Sequence, residues 1–211
     1  MVFLEVLQHS GLGLLDTLLQ WDRAAFLKVN TQWISAIGDF IFPILRYPKT
    51  WSPLYAFLLV FALIKFKTKA LPWILFAIIC ITLTDQISSH FLKEYFGRLR
   101  PCQDPTLKDI ARLLVDHCPG NASFTSSHAV NHFGIGTFFY FSFRKSFKQW
   151  SWLFFLWAAA ICYAQVYVGV HYPGDVICGA ILGFLLGGLV SFFFVRYFNF
   201  QRGFSKPKVE N

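Results

Sequence analysis

The stretch AQVYVGVHYPGDVICGAILGFLLGGLVSFFFV runs from Ala164 to Val195, and its reading decides the fold. No charged residue interrupts it from Val176 to Val195. About 20 apolar residues in a helix cross a hydrocarbon core of roughly 30 Å, so this half reads as a transmembrane helix. Gly179, Gly183 and Gly187 form a small-residue stripe along it, suited to close helix packing. Pro173 fits the helix's first turn, which sets His171 at its mouth. Asp175 can then fold back onto His171, hold one ring nitrogen and leave the other unprotonated and nucleophilic. Taken alone, His-x3-Asp at a membrane edge is often only a polar cap. The rest of the chain has to decide.

Composition agrees with the membrane reading. The 211 residues are 55% hydrophobic and only 14% charged, against roughly 25% charged in soluble domains. Such a chain cannot cover a water-facing surface. Five segments read as spans: Trp51–Ile64, Ala70–Leu92, His128–Phe143, Gln149–Val170 and Val176–Val195. The start has no basic leader and carries Glu5 and Asp16, so no cleavable signal peptide is expected. WISAIGDFIFPIL (Trp33–Leu45) is apolar but short, and it contains Asp39 and Pro43. The expectation is an all-α, polytopic transmembrane helical bundle of five spans with N-terminal interfacial amphipathic helices; a sixth span is the alternative. The chain divides into an N-terminal segment (1–50), a membrane domain (51–196) and a basic tail (197–211).

The net charge of +8 is explained by topology. KFKTK (Lys65–Lys69), RKSFK (Arg144–Lys148) and the tail with Arg196, Arg202, Lys206 and Lys208 fall on one face when the spans alternate. The positive-inside rule makes that face cytoplasmic, so no nucleic-acid partner is implied. The loop from Lys93 to Ser127 and the turn at His171 then face outward. Cys102 and Cys118 share that outer loop, where thiols can oxidise. Either a disulfide joins them or both are free. Cys80, Cys162 and Cys178 lie within spans and read as packing residues.

Two further motifs reach the same face. In KEYFGRLRP, Lys93 and Arg100 are seven residues apart, two helical turns, so both can face one point. Cations at a helix end commonly anchor the interface; the alternative is a clamp on the non-bridging oxygens of a phosphate. In FTSSHA (Phe124–Ala129), the serines suit an N-cap, yet a helix N-terminus also attracts anions. His128 stands on that first turn, placed to donate a proton to a leaving oxygen. His132, one turn on, reads as a packing residue. A clamp, an acid and a carboxylate-held histidine are the parts that phosphoryl transfer through histidine needs.

At these residues the sequence resembles the type 2 phosphatidic acid phosphatase superfamily, membrane lipid phosphatases related to the vanadium haloperoxidases. The family pattern is K-x6-R-P, P-S-G-H and S-R-x5-H-x3-D. Lys93–Pro101 matches the first motif in full, Ser126 and His128 match the second, and His171 and Asp175 match the third. The resemblance implies an integral membrane phosphatase facing outward from a bacterial inner membrane. Its substrate would be a lipid phosphomonoester or pyrophosphate: undecaprenyl pyrophosphate, phosphatidylglycerophosphate, phosphatidic acid or a lipid A phosphate. His171 would be the nucleophile, Asp175 its orienter and His128 the acid. Lys93, Arg100, Ser126 and the backbone N–H of Ser127 would cradle the phosphoryl group, without metal or cofactor. Gln165 stands where the family pattern has arginine, and Arg98 is a candidate to restore the missing charge. Transfer of the phosphoryl group to a lipid acceptor, and a catalytically silent lipid-binding or transport protein, are the other readings of this scaffold.

Overall fold

The computed structural model describes residues 2–198, with side chains over 13–198, and every regular element in that range is helical. Most of the basic tail, with Arg202, Lys206 and Lys208, lies outside the described residues. The elements are α1 (Val2–Leu27), α2 (Ala36–Arg46), α3 (Ser52–Phe66), α4 (Ala70–Asp85), α5 (Lys93–Phe96), α6 (Ser127–Phe147), α7 (Leu153–Tyr167) and α8 (Pro173–Phe198). A wide π turn, Gln86–Leu92, joins α4 to α5, so one helical rod carries Lys93 to its end.

Three continuous helical stretches are long and apolar enough to cross a membrane: Pro48–Phe96, Ser127–Tyr167 and Pro173–Phe198. Two of them reverse direction, at Lys67 and at Lys148, both with positive φ. They thereby resolve into the antiparallel pairs α3–α4 and α6–α7. These elements follow the hydropathy of the sequence, because helices satisfy their own backbone hydrogen bonds where lipid offers no partner.

Helix α6 is the centre of the bundle, packed by α4, α7 and α8. Its contact with α8 is close because the glycine stripe removes side chains there. A Cβ on Gly183 would strike the carbonyl of Val130, and one on Gly187 the carbonyl of Gly134. Away from the site an aromatic core of Trp73, Phe138, Phe139, Phe143 and Phe154 is buried between helices. Leu71, Ile78, Leu185 and Phe192 point outward and stay exposed, as side chains facing lipid do.

Helix α2 is short and amphipathic. Ser35 caps it, accepting from Gly38 N at 3.0 Å. Ile37, Phe40 and Ile44 are exposed, while Phe42 packs on Tyr163 and Tyr167 of α7. Polar contacts fasten the same face: Asp39 accepts from Tyr167 Oη (2.7 Å) and from Arg112 (2.5 Å). The first helices are therefore docked on the bundle, with the first half of α2 against the end of α7.

Candidate active site

The ends of α2, α5, α6, α7 and α8 meet beneath the loop 97–126. This loop is pinned by several contacts. A disulfide joins Cys102 to Cys118, with Cα atoms 6.0 Å apart. Asp104 accepts from Thr106, Tyr172 Oη (2.9 Å) and Arg23 (3.0 Å). Asn30, fully buried below α1, bonds the backbone of Arg112 and of Tyr167. Gly169 turns the chain between α7 and α8 with φ of 90°, in a space that a Cβ would fill by striking Arg112 O. That turn delivers His171.

His171 is 2% exposed. Its Nε2 lies 3.0 Å from an Arg100 guanidinium nitrogen, which can only donate. Nε2 must therefore accept with its lone pair, and the proton of the neutral ring sits on Nδ1. Nδ1 lies 3.3 Å from Ser123 Oγ and 3.5 Å from Asp175 Oδ2, the latter long for a hydrogen bond. Ser123 Oγ in turn donates to Asp175 Oδ2 at 2.5 Å, so a serine bridges the pair. Burial pushes the His171 imidazole down to about 4, against the opposing pull of Asp175. The ring is neutral at physiological pH, with Nε2 unprotonated and its lone pair engaged by Arg100.

Asp175 is held from every side. Tyr172 N donates to it at 3.0 Å and Arg98 at 2.6 Å. Arg98 also binds Asp22 at 2.7 Å and lies 4.0 Å over the Tyr172 ring. It pairs with carboxylates behind His171 and takes no place on the cavity wall. The expectation that Arg98 makes up for the charge missing at Gln165 is therefore corrected.

In front of His171 is a cavity of about 220 Å³, lined by Arg46, Ser89, Lys93, Arg100, Pro119, Asn121, Ser127, His128, Gln165 and His171. It is smaller than the pockets that hold whole drug-sized ligands, of a size for a headgroup fragment. Larger grooves near Trp73 and Trp157 have almost wholly apolar walls and none of these groups. Three cations and two histidines line the cavity, and no carboxylate does. Arg100 is fixed by Asn121 O (2.8 Å), Asn121 Oδ1 (2.7 Å) and Val170 O (2.8 Å). Burial pushes it down to about 10, still a cation at neutral pH.

Seven of the eight expected site residues thus share this place: Lys93, Arg100, Ser127, His128 and Gln165 on the wall, with His171 and Asp175 behind it. Ser126 does not join them. It is fully buried and caps α6, its Oγ accepting from Ala129 N at 3.4 Å, because the helix start demands a partner for that N–H. Ser127 Oγ bonds Ser88 (3.0 Å) and Ser89 (2.9 Å). His132 bonds the carbonyl of His128 (2.8 Å) and meets Trp157 edge-on, a buttress for the first turn of α6. Sequence reading missed Arg46, Ser123 and Asn121. No spacing links these residues to the motifs; only a basic residue ending an amphipathic helix hinted at Arg46.

A family model described as the PAP2 superfamily matches residues 72–199. Among curated proteins, a "Lipid A 4'-phosphatase" of Bacteroides thetaiotaomicron is 37% identical over 150 residues. That match covers 70% of this chain and 64% of the relative, just under two thirds of its length. The crystal structure of Aquifex aeolicus LpxE is 28% identical with a TM-score of 0.57, covering 82% of this chain and 93% of that one. The PAP2 type phosphatidylglycerolphosphate phosphatase from Bacillus subtilis has a TM-score of 0.64 at 20% identity, covering 86% and 88%; that likeness is one of fold.

Proposed function

The chain belongs to the PAP2 superfamily, and on that premise we propose that it is a membrane phosphatase cleaving a phosphate from a lipid, through a phosphohistidine on His171. One observation carries the reading: an unprotonated Nε2 borders a cavity that holds three cations and no acid.

The lone pair on Nε2 attacks phosphorus as the bond from phosphorus to the leaving oxygen breaks. Arg100, which holds Nε2 in the resting site, passes its hydrogen bond to a phosphoryl oxygen as the substrate enters. Lys93, Ser127 and Gln165 meet the remaining oxygens, and charge developing on them is stabilised by groups already in place. The proton on Nδ1 stays there, held through Ser123 towards Asp175. His128 gives its proton to the departing oxygen, then accepts one from the water that breaks the N–P bond. Fixed cations supply the charge stabilisation that metal-dependent phosphatases draw from ions, so the proposal is metal-independent.

The substrate class is a lipid A phosphate, supported by the 37% identical relative. The active end faces outward from a bacterial inner membrane, supported by the basic turns at Lys67 and Lys148 at the opposite end of the bundle. The catalytic unit runs over 51–196, with the N-terminal segment docked on it. The test is release of inorganic phosphate by purified protein from lipid A, undecaprenyl pyrophosphate, phosphatidylglycerophosphate and phosphatidic acid. Acid-labile label from a radioactive substrate is expected on His171. A labelled protein with the label elsewhere overturns the mechanism, and no release from any of the four overturns the function.

A further inference from the structure

We propose that Arg46, the last residue of α2, is a ligand of the phosphoryl group and supplies the charge that the neutral Gln165 cannot. The inference rests on the phosphatase reading above and adds a residue that none of the three motifs contains.

The donors around the cavity are unequally engaged. Arg100 has its Nε and both terminal nitrogens occupied, by Asn121, Val170, Ala122 and His171. Gln165 is fully buried, and both atoms of its amide lack a partner. Arg46 makes no hydrogen bond or ion pair among the described residues, and its Nε is buried without a partner. Burial lowers its pKa, the direction expected when a charged form is left without compensation. Orphaned buried donors are unfavourable, and here two orphans and a third cation, Lys93, border one small cavity.

A plainer role for Arg46 would be to cap the end of its own helix. That role is already filled. Ile44 O accepts from Tyr47 N (3.1 Å) and Thr50 Oγ1 (2.7 Å), and Leu45 O accepts from Trp51 Nε1 (2.7 Å). Those two carbonyls have other donors, and Arg46 bonds neither of them. The same three bonds fix the end of α2, and the Asp39 contacts hold α2 on α7. Arg46 and Gln165 therefore reach one anion from neighbouring helices.

The test uses the full chain in detergent, with two readouts: hydrolysis of lipid phosphate, and the affinity for inorganic phosphate measured directly by calorimetry. Arg46→Ala should lower kcat/KM about 10- to 100-fold and weaken phosphate binding by a similar factor, as loss of a hydrogen bond to an ionised group does. Arg46→Lys should recover part of both. Adding Gln165→Arg to Arg46→Ala, which returns a guanidinium to the same cavity from α7, should recover at least about tenfold in phosphate affinity. Unchanged phosphate affinity in Arg46→Ala overturns the proposal. So does a loss that Gln165→Arg leaves unrepaired while Arg46→Ala unfolds at the wild-type temperature. The affinity readout needs no turnover, so a wild type silent on every lipid overturns the phosphatase reading while Arg46 is still judged by phosphate binding.

Discussion

The two sides of the His171 ring are built on opposite terms. Behind it, Asp175, Asp104 and Asp22 meet Arg98, Arg23, Ser123 and Tyr172, and each carboxylate has at least two partners. In front of it, Arg46, Lys93 and Arg100 border a cavity without one acid. The satisfied side holds the ring through Ser123 and Asp175, while Arg100 on the other side sets its tautomer. The unsatisfied side holds like charges together, and an arriving phosphate relieves them. Stability is concentrated behind the ring and set aside in front of it, the usual trade-off at a functional site.

The comparison breaks first at the ring itself. His171→Ala should reduce turnover to background, and His128→Ala should lower it about 10²- to 10⁴-fold, the usual worth of general acid–base help. Full activity in His171→Ala, in a phosphate-release assay, would mean that neither side serves this residue.

Next come opposite stabilities for the two sides. Arg98→Ala strips a cation from the fully buried Asp175 and should destabilise by about 3 kcal/mol, the low end for breaking a buried pair because Arg98 is partly exposed. Lys93→Met removes a repelled charge in front and should leave the unfolding temperature unchanged or raise it. Phosphate at about 100 times its Kd should stabilise the wild type by roughly 2.7 kcal/mol, and Lys93→Met by less. Equal losses from Arg98→Ala and Lys93→Met in thermal unfolding would erase the distinction.

The ring's titration sharpens it further. Imidazole NMR should show His171 protonated on Nδ1 alone down to a midpoint of about 4, against roughly 6.5 in an unfolded chain. Because the folded value is depressed, the unfolded state gains a proton first as pH falls. Stability from the neutral ring is therefore complete above about 6.5 and lost as pH drops towards 4. A midpoint near 6.5, or a proton on Nε2, would contradict the placement of Arg100. The smallest effect belongs to Gln165→Ala: about a tenfold fall in kcat/KM, since one neutral amide donor is lost while the three cations stay.

How far the sequence could be read depended on chain distance. His171 and Asp175 are four residues apart and Lys93 and Arg100 seven, near enough in the chain for each motif to reach one place. Neither pair shares a helical face: α5 ends at Phe96, and Arg100 and His171 stand in the loops beyond helix ends. Nearness in the chain settled no more than that. Arg98 sits two residues from Arg100 yet turns to Asp175 and Asp22, because those carboxylates are behind the ring. Ser126 matches the motif but answers to its own helix, whose first N–H groups need a partner.

What the sequence determined alone is the helical bundle, its apolar segments and the convergence of its motifs. A chain this poor in charge must satisfy its backbone within helices, and alternating segments put alternate loops on one face. What only tertiary structure decided is which donors are already taken. Arg46 precedes Lys93 by two short 3₁₀ turns, two helices and a π turn, and no periodicity connects them. Its place on the cavity wall follows from α2 docking on Tyr167 through Gly38, Phe42 and Asp39. A side chain's type states what it can bind; whether it is still free to bind is settled by everything else folded around it.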